Sequence, residues 1–492
     1  MGRELVIGLD LGTTSVKAVL FNLAGDVVNE EERMISSNYP QPGWVEQDPF
    51  EIERGAVKVL KNILSSAKIS PGELLAVGIS CAMHSIICVD DNMEAISPML
   101  IWADGRASNQ AEELRTSDEK NIHARTGTPI HPMSPFTKLL WMKETAYEPY
   151  KKATYFMSMK EFLIEKWFGK RIVDFAMASA TGMLNLKTLD WDEETLSLTG
   201  VTKDQLSTIV SPTEMLTEMD PIIQKEIGFT EEVPFVIGSA DGQLANLGSG
   251  AISPGEVAIS AGTSGAIRQF VQGTPIDSNQ ETFTYAFSEE LSIVGGPTNN
   301  GGIALQWVKD LLEFEGSHDE LLAGAEKISP GAEGIFFHPY VNGERAPLWN
   351  QRAKGNFFGL TMVHKKEHLV RSVLEGITFN IYQIGQTLES LAGKPTKISV
   401  NGGLTRSPLW VQILADVFGQ SVYVSDTHHN AAWGAAWTAL VAIQKVDSFE
   451  EIKQNLPKEQ VIEPNMKNHA IYKEIYKKYE AIGNDLAKYF TE

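Results

Sequence analysis

Short apolar, β-branched runs closed by small-residue turns organise this chain, and the second half repeats the plan of the first. Residues 5–9 read as a buried strand, 12–15 as a tight turn and 16–21 as the returning strand. Asn22-Leu23-Ala24-Gly25 turns the chain again, and a third strand is predicted from Val27 onward. A helix then shows Val57, Leu60 and Ile63 on one face, and residues 76–80 and 86–90 read as further strands. In the second half, 255–260 is a strand, 262–265 the turn and 266–270 the return. A helix over about 366–388 follows, then a strand over 397–400 that ends in Asn401-Gly402-Gly403. A helix from near Ser407, a strand over 422–424 and a small-residue helix over 431–443 complete the pattern. The mixture predicts the α/β class.

A chain of 492 residues exceeds what one hydrophobic core sustains, so two or three domains are expected. The run LGSGAISPG, at 247–255, interrupts both periodicities. It divides the chain into a first domain over 1–250, with an insertion over about 105–230, and a second over 251–492. Hydrophobic residues make up 43% and charged residues 21%, as in an ordinary globular protein. The net charge is -21, from 42 basic and 63 acidic residues, which disfavours nucleic acid and anionic membranes as partners. An anionic substrate would need local cations against that field. The only cysteines, Cys81 and Cys88, lie in apolar sequence and exclude a disulfide framework. No apolar run is long enough for a membrane span and no leader pattern precedes the first strand, so a cytoplasmic protein is expected.

Two hairpins carry the candidate chemistry. VIGLDLGTTSVKAVLF and VAISAGTSGAIRQF each close on a Gly-Thr-Ser/Thr turn, whose backbone N–H groups and hydroxyls suit phosphate. Finding the turn twice points to two domains facing one nucleotide, and so to ATP. In the first hairpin Thr13 and Thr14 offer hydroxyls, Gly12 permits close approach, and Lys17 can reach a phosphate from the returning strand. Asp10 precedes the turn. An anion beside a triphosphate makes sense with Mg2+ between them. The plainer reading of either hairpin is a structural turn with a solvated aspartate, and the pairing of the two weighs against it. Asp241 follows a buried strand in VPFVIGSADGQLANLGSG and opens a helix-like run. A carboxylate fixed there is a candidate general base for an attacking hydroxyl. Taken locally, a helix-capping aspartate is the better explanation. Trp102, Asp104 and Arg106 form a compact cluster that suits a polyol, with core packing as the alternative for Trp102.

Longer segments resemble the FGGY family of carbohydrate kinases over essentially the whole chain. They are GLDLGTTSVKAVLF, GWVEQDP at 43–49, WADGR at 102–106, MSPFTKLLW at 133–141, GSADG at 238–242, AGTSGAI at 261–267 and NGGLTRSPLWVQILADVFGQSV at 401–422. The resemblance implies two ribonuclease-H-like, actin-like ATPase domains with a central cleft. It implies Asp241 as the catalytic base, Asp10 as the metal-associated carboxylate, and Thr13, Thr14 and Lys17 at the first phosphate loop. It also implies Gly262 and Thr263 at the second phosphate loop, Gly302 and Gln306 on the nucleotide side, and Gly402 and Gly403 beside the adenosine. One departure is His429-Asn430-Ala431-Ala432-Trp433-Gly434-Ala435, where relatives often carry an acidic residue and hydroxyls.

Within the family, AMHS, TGTPIHPMSP, GGPTNNGGI and FFHPYVNGERAPLWN resemble the members that phosphorylate gluconate more than those that act on xylulose or glycerol. The expected partners are then ATP with Mg2+ and a small sugar acid, D-gluconate, and a homodimer is compatible with the sequence. Met83 and His84 would line the acceptor pocket. His84, His131, Lys160 and Arg345 are the candidate partners of a substrate carboxylate, a guanidinium having the attraction of bidentate pairing. Two alternatives stand beside this one: the same chemistry on xylulose or another pentulose, and an actin-like structural or clamp ATPase.

Overall fold

The structure is a computed structural model and describes residues 3–117, 120–425, 429–456 and 458–490. Its two halves are built on two sheets of matching strand order. The first sheet begins with β1 (Leu5–Leu11), β2 (Ser15–Asn22) and β3 (Val27–Met34), an antiparallel meander. Helix α1 (Pro49–Ser66) follows, capped by Asp48, whose carboxylate accepts from the N–H of Phe50 at 2.9 Å. It lays Ile52, Ala56, Val59, Leu60 and Ile63 on the sheet at helical spacing. Strand β4 (Leu74–Cys81) then pairs parallel to β1.

The chain next builds a mostly helical region that includes α2 (Pro135–Glu144), α3 (Met159–Phe168) and α4 (Phe175–Ala180). It returns to the sheet edge as the short β5 (Met215–Leu216) and then as β6 (Phe235–Ala240), parallel to β4. The strand predicted over 86–90 is Ile87–Val89, and it pairs with Tyr155–Met157 in a separate small sheet. Helix α5 (Asp241–Gly248) leaves the end of β6.

The second sheet repeats the meander with β7 (Glu256–Ala261), β8 (Gly265–Gln272), β9 (Phe283–Ala286) and β10 (Leu291–Thr298). Helices α6 (Gly302–Leu311) and α7 (Lys366–Ala392) precede β11 (Lys397–Asn401), which is parallel to β7. Helix α8 (Pro408–Phe418) leads to β12 (Val422–Ser425), parallel to β11. After α9 (Asn430–Ala442), β13 (Glu459–Ile462) closes the edge antiparallel and α10 (Met466–Ala487) ends the fold. Apart from the extra β9, the order is that of the first sheet, namely three antiparallel strands, two parallel ones and an antiparallel edge. This is the expected pair of ribonuclease-H-like, actin-like domains.

The small-residue helix α9 does not cover its own sheet. It crosses onto the first domain, where backbone meets backbone. A Cβ on Gly8 would stand 1.9 Å from the carbonyl oxygen of Ala432, and one on Gly78 1.9 Å from that of Ala435. Gly434 is nearly as close to the carbonyl of Leu244 of α5, and Gly248 as close to that of Asn430. Trp433, within the run that departs from the family pattern, fills this interface against Phe21 with ring centroids 4.9 Å apart. Among the described residues no helix is long and apolar enough to cross a membrane.

Candidate active site

The first hairpin places its charges by register. Asp10 of β1 faces Lys17 of β2 across the antiparallel pair, so both side chains leave the same face of the sheet. Ser80 donates to Asp10 Oδ1 at 2.7 Å. Burial pushes the Asp10 carboxyl up, and the Ser80 hydroxyl and the Lys17 ammonium oppose that shift. Lys17 Nζ also lies 3.6 Å from Glu32. Gln47 donates to the carbonyl of Thr13 at 2.6 Å and pins the turn, while Thr14 is exposed.

The second hairpin keeps the turn and loses the charges. At the positions equivalent to Asp10 and Lys17 stand Ser260 and Ala266, again register partners. Gly262 donates to the Ser264 carbonyl at 2.8 Å, and Gly262 and Thr263 are exposed. The turn is latched to α6: Gly302 N–H donates to Gly262 O at 2.6 Å, and Ile303 N–H to Thr263 O at 3.1 Å. These N–H groups of the helix start are therefore spent on the loop. Gly402 and Gly403 pack on the same spot. Gly402, at φ +89°, could carry no Cβ, because Ala261 O would be 2.7 Å away. Gln306 lies on the exposed side of α6 and donates to Asp310 at 2.6 Å.

Between the sheets lies a cavity of about 260 Å³ that gathers Thr13, Met83, His84, Trp102, Asp241 and Arg345. Asp241 is the first residue of α5, held at the end of a fully buried strand. Its carboxylate accepts from the N–H of Gly242 at 2.7 Å. Burial, and next the negative Asp10 across the site, push its pKa up to about 6, with Arg268 opposing. His84 sits at φ +69° with Nε2 3.2 Å from the Tyr285 hydroxyl. Burial, together with Lys138 and Arg345, holds the imidazole neutral. Trp102 Nε1 donates to Thr13 Oγ1 at 3.4 Å, tying the loop that carries Trp102 to the turn of the first hairpin. The Arg345 guanidinium lies 5.0 Å from the Trp102 ring. One of its nitrogens donates to Thr298 O at 3.2 Å, and its buried Nε has no partner. Burial lowers this group to about 10, which leaves it cationic at neutral pH.

Four of the predicted substrate residues do not line that cavity. Asp104 and Arg106 are spent on each other at 2.8 Å, on Val45 N–H and on Glu46, and the guanidinium is stacked 4.0 Å from the Trp44 ring. They brace the loop that carries Trp102. Lys160 is fully buried, paired with Asp174 at 2.7 Å and donating to Ser239 O at 2.9 Å. It supports the strand that ends at Asp241. His131 accepts from Met133 N–H at 3.2 Å and meets the Gln351 amide at 2.8 Å, behind the wall. In each case the buried group has found protein partners, as burial demands, with Arg106 Nη1 alone left without one among their side-chain nitrogens and oxygens.

The structure adds Arg268, Tyr285 and Met133 to the cavity wall. Arg268 belongs to β8, in the second domain, and its guanidinium lies against Gly242, where a Cβ would be 3.0 Å from Nε. That Nε is also buried without a partner. A cation inside the apolar run GAIRQF was the available signal. Tyr285 and Met133 carry no local signal of this kind. The assembled site thus has two carboxylates on the first domain, two guanidiniums on the second, and a glycine-lined ledge beside them. Among the described residues no group of three metal-type side chains occurs. The carboxylates of Asp10 and Asp241, the first of which raises the proton affinity of the second, suit a hydrated divalent cation that takes its other ligands from phosphate and water.

Comparison with known proteins places this geometry. The model of the N-terminal domain of the FGGY family of carbohydrate kinases matches residues 5–248, and that of the C-terminal domain matches 257–443. The gluconokinase of Bacillus subtilis (strain 168) is 40% identical over 462 residues, covering 91% of this chain and 89% of that protein. The crystal structure of gluconate kinase from Lactobacillus acidophilus matches with a TM-score of 0.95 and 32% identity over 99% of both chains. Ligand-bound xylulose kinase from the same organism matches with a TM-score of 0.95 and 32% identity over 98% of both chains.

Proposed function

The chain belongs to the FGGY family of carbohydrate kinases, and from that premise we propose that it transfers the γ-phosphoryl group of ATP to the C6 hydroxyl of D-gluconate. The products are 6-phosphogluconate and ADP. A carbohydrate kinase accounts for a carboxylate base fixed beside guanidiniums in a cavity between the sheets, which a filament or clamp ATPase has no use for. The observation that carries the choice of a sugar acid is Arg345. A buried guanidinium with an unpartnered Nε faces the cavity from beside Trp102, and it suits an acceptor carboxylate. The similarity to gluconokinases supports the same choice.

In the proposed mechanism Asp241 accepts the proton of the attacking hydroxyl as its oxygen bonds to the γ-phosphorus and the bridge to ADP breaks. Its pKa of about 6 leaves it ionised at neutral pH and a better base than an exposed aspartate. Lys17 and Arg268 offset charge on the transferring group. Thr13, Thr14, Gly262 and Thr263 line its approach, and Gly402, Gly403, Gly302 and Gln306 mark the nucleotide side. Asp10, with Asp241 opposite, would hold Mg2+, which supplies charge neutralisation on the phosphates. His84 and Tyr285 offer a neutral hydrogen-bonding edge to the polyol.

An ADP-release assay across gluconate, xylulose, ribulose, glycerol and glucitol tests the assignment. A kcat/KM for gluconate at least about a hundredfold above the neutral acceptors is expected, because a buried cation left unpaired penalises them. Equal use of gluconate and glucitol removes the assignment. A preference for xylulose turns it to the pentulose reading, which the 32%-identical xylulose kinase structure keeps open.

A further inference from the structure

We propose that Lys138 is a positioning residue of the acceptor pocket: its ammonium ties together three of the chain segments that form the pocket's first-domain wall, and so sets acceptor affinity without touching the acceptor. This rests on the cavity being the acceptor site of a kinase.

Lys138 lies in α2, fully buried. Its Nζ donates to the backbone carbonyls of His84 at 2.9 Å, Ile101 at 2.7 Å and Met133 at 2.7 Å. His84 and Met133 line the cavity, and Ile101 is joined to Trp102, which also lines it. The first two carbonyls lie 54 and 37 residues away in sequence, so a single side chain sets the spacing of otherwise independent segments. Among the described residues no carboxylate lies within ion-pair distance of it. An ammonium buried without a counter-ion is costly unless every N–H is used, and here all three are. One of the three carbonyls belongs to His84, whose left-handed backbone needs such a restraint. A guanidinium cannot substitute, because its donors spread in a plane instead of converging from three directions.

The clamp has a built-in sensitivity. Burial pushes the ammonium down to about 7, with Asp104 opposing and Arg106 adding to the shift. The groups facing it are His84 and His131, both neutral, the mutually paired Asp104 and Arg106, and Arg345 beyond His84. A neutral amine has only two N–H groups, so one carbonyl is left without its donor as the pH rises. The acceptor wall should loosen on the alkaline side, whereas loss of the Asp241 base acts on the acid side.

The test measures ADP release with D-gluconate and ATP varied separately, between about pH 6 and 9, for the wild type, Lys138→Met and Lys138→Arg. Lys138→Met should raise the acceptor KM about tenfold or more, leave the ATP KM within about twofold, and abolish the alkaline rise in acceptor KM. Lys138→Arg should not rescue it. Equal rises in both KM values, or an unchanged acceptor KM in Lys138→Met, overturn the proposal. If these variants do not fold, Lys138→Gln replaces them, and an acceptor KM that it leaves unchanged refutes the clamp. If the wild type does not turn over gluconate, the substrate assignment fails on its own. The comparison is then made with whichever of xylulose, ribulose and glycerol is phosphorylated.

Discussion

Replacing Arg345 with Met isolates the question of what reads the acceptor's charge. An apolar stem of similar length is retained, and the guanidinium is lost together with its one hydrogen bond to Thr298 O. The backbone there is held independently. The Glu344 carboxylate accepts from Thr298 at 2.7 Å, Asn299 N–H at 2.8 Å, Arg345 N–H at 2.8 Å and Asn380 at 3.1 Å, and none of these uses the Arg345 side chain. The loss should therefore be that of a charge-assisted pair in a dry site. Such bonds contribute about 1.5–3 kcal/mol each, and stranding a buried carboxylate costs more. An estimate of about 2–4 kcal/mol corresponds to roughly a 30- to 1,000-fold fall in kcat/KM for gluconate. A neutral acceptor, such as glucitol or xylulose, should change by less than about threefold. Arg345→Lys keeps the charge but offers one point donor, so it should fall between. The readout is coupled ADP release under limiting acceptor. Parallel losses on gluconate and on the neutral acceptors would refute the reasoning and make Arg345 a shaper of the cavity, not a reader of charge.

Four further outcomes are expected. Asp241→Asn should lower kcat by about a thousandfold or more with ATP affinity nearly unchanged by calorimetry, and near-normal turnover removes Asp241 from the mechanism. In the wild type, kcat should fall about tenfold per unit as the pH drops below about 6, because the base is lost once protonated. Arg268→Met removes a group that holds the Asp241 carboxylate down, so that limb should move to higher pH, and an unmoved limb argues that the two do not interact. Gly8→Ala should lower the melting temperature by several degrees or prevent folding. Its Cβ would meet a backbone carbonyl that no rotamer can clear, and overpacking of this kind costs about 1–3 kcal/mol or more.

The elements that sequence exposed were those whose pattern is local. The two hairpins, the helix over 366–388 and the small-residue helix over 431–443 all appear within a few residues of expectation, because burial of one face dictates their periodicity. Asp10 before the turn and Lys17 on the returning strand were legible for the same reason, and the register of the hairpin then sets them opposite each other. What was not legible is partnership at a distance. Lys160 looked like a free cation for a carboxylate until the fold brought Asp174 to it at 2.7 Å, a residue already committed to capping α4. Arg106 looked like a substrate ligand until Trp44 and Glu46 enclosed it. A buried cation and a ligand-binding cation have the same composition, and only the third dimension separates them. The reverse error befell Arg268, whose place in an apolar strand concealed a guanidinium facing the cavity.

The two sheets began with the same turn and were loaded differently, and that asymmetry organises the chemistry. The first hairpin holds a carboxylate opposite an ammonium, whereas the second holds Ser260 opposite Ala266. Asp241 joins Asp10 on the first domain, while Arg268 and Arg345 come from the second. Two carboxylates alone would repel both a triphosphate and a sugar acid in a chain of net charge -21. The guanidiniums, left partly unpaired, reverse the local field only where the second domain closes over the first. The same contact tunes the base, because Arg268 lowers the proton affinity of Asp241 while burial and Asp10 raise it. Separating the domains would withdraw Arg268 and rehydrate the Asp241 carboxylate together, so the opposing effects of burial and of the guanidinium would both be lost. An arrangement in which the cations that draw in triphosphate and acceptor face the proposed base only when both halves enclose the site disfavours spending ATP on water, a penalty that neither domain could impose by itself.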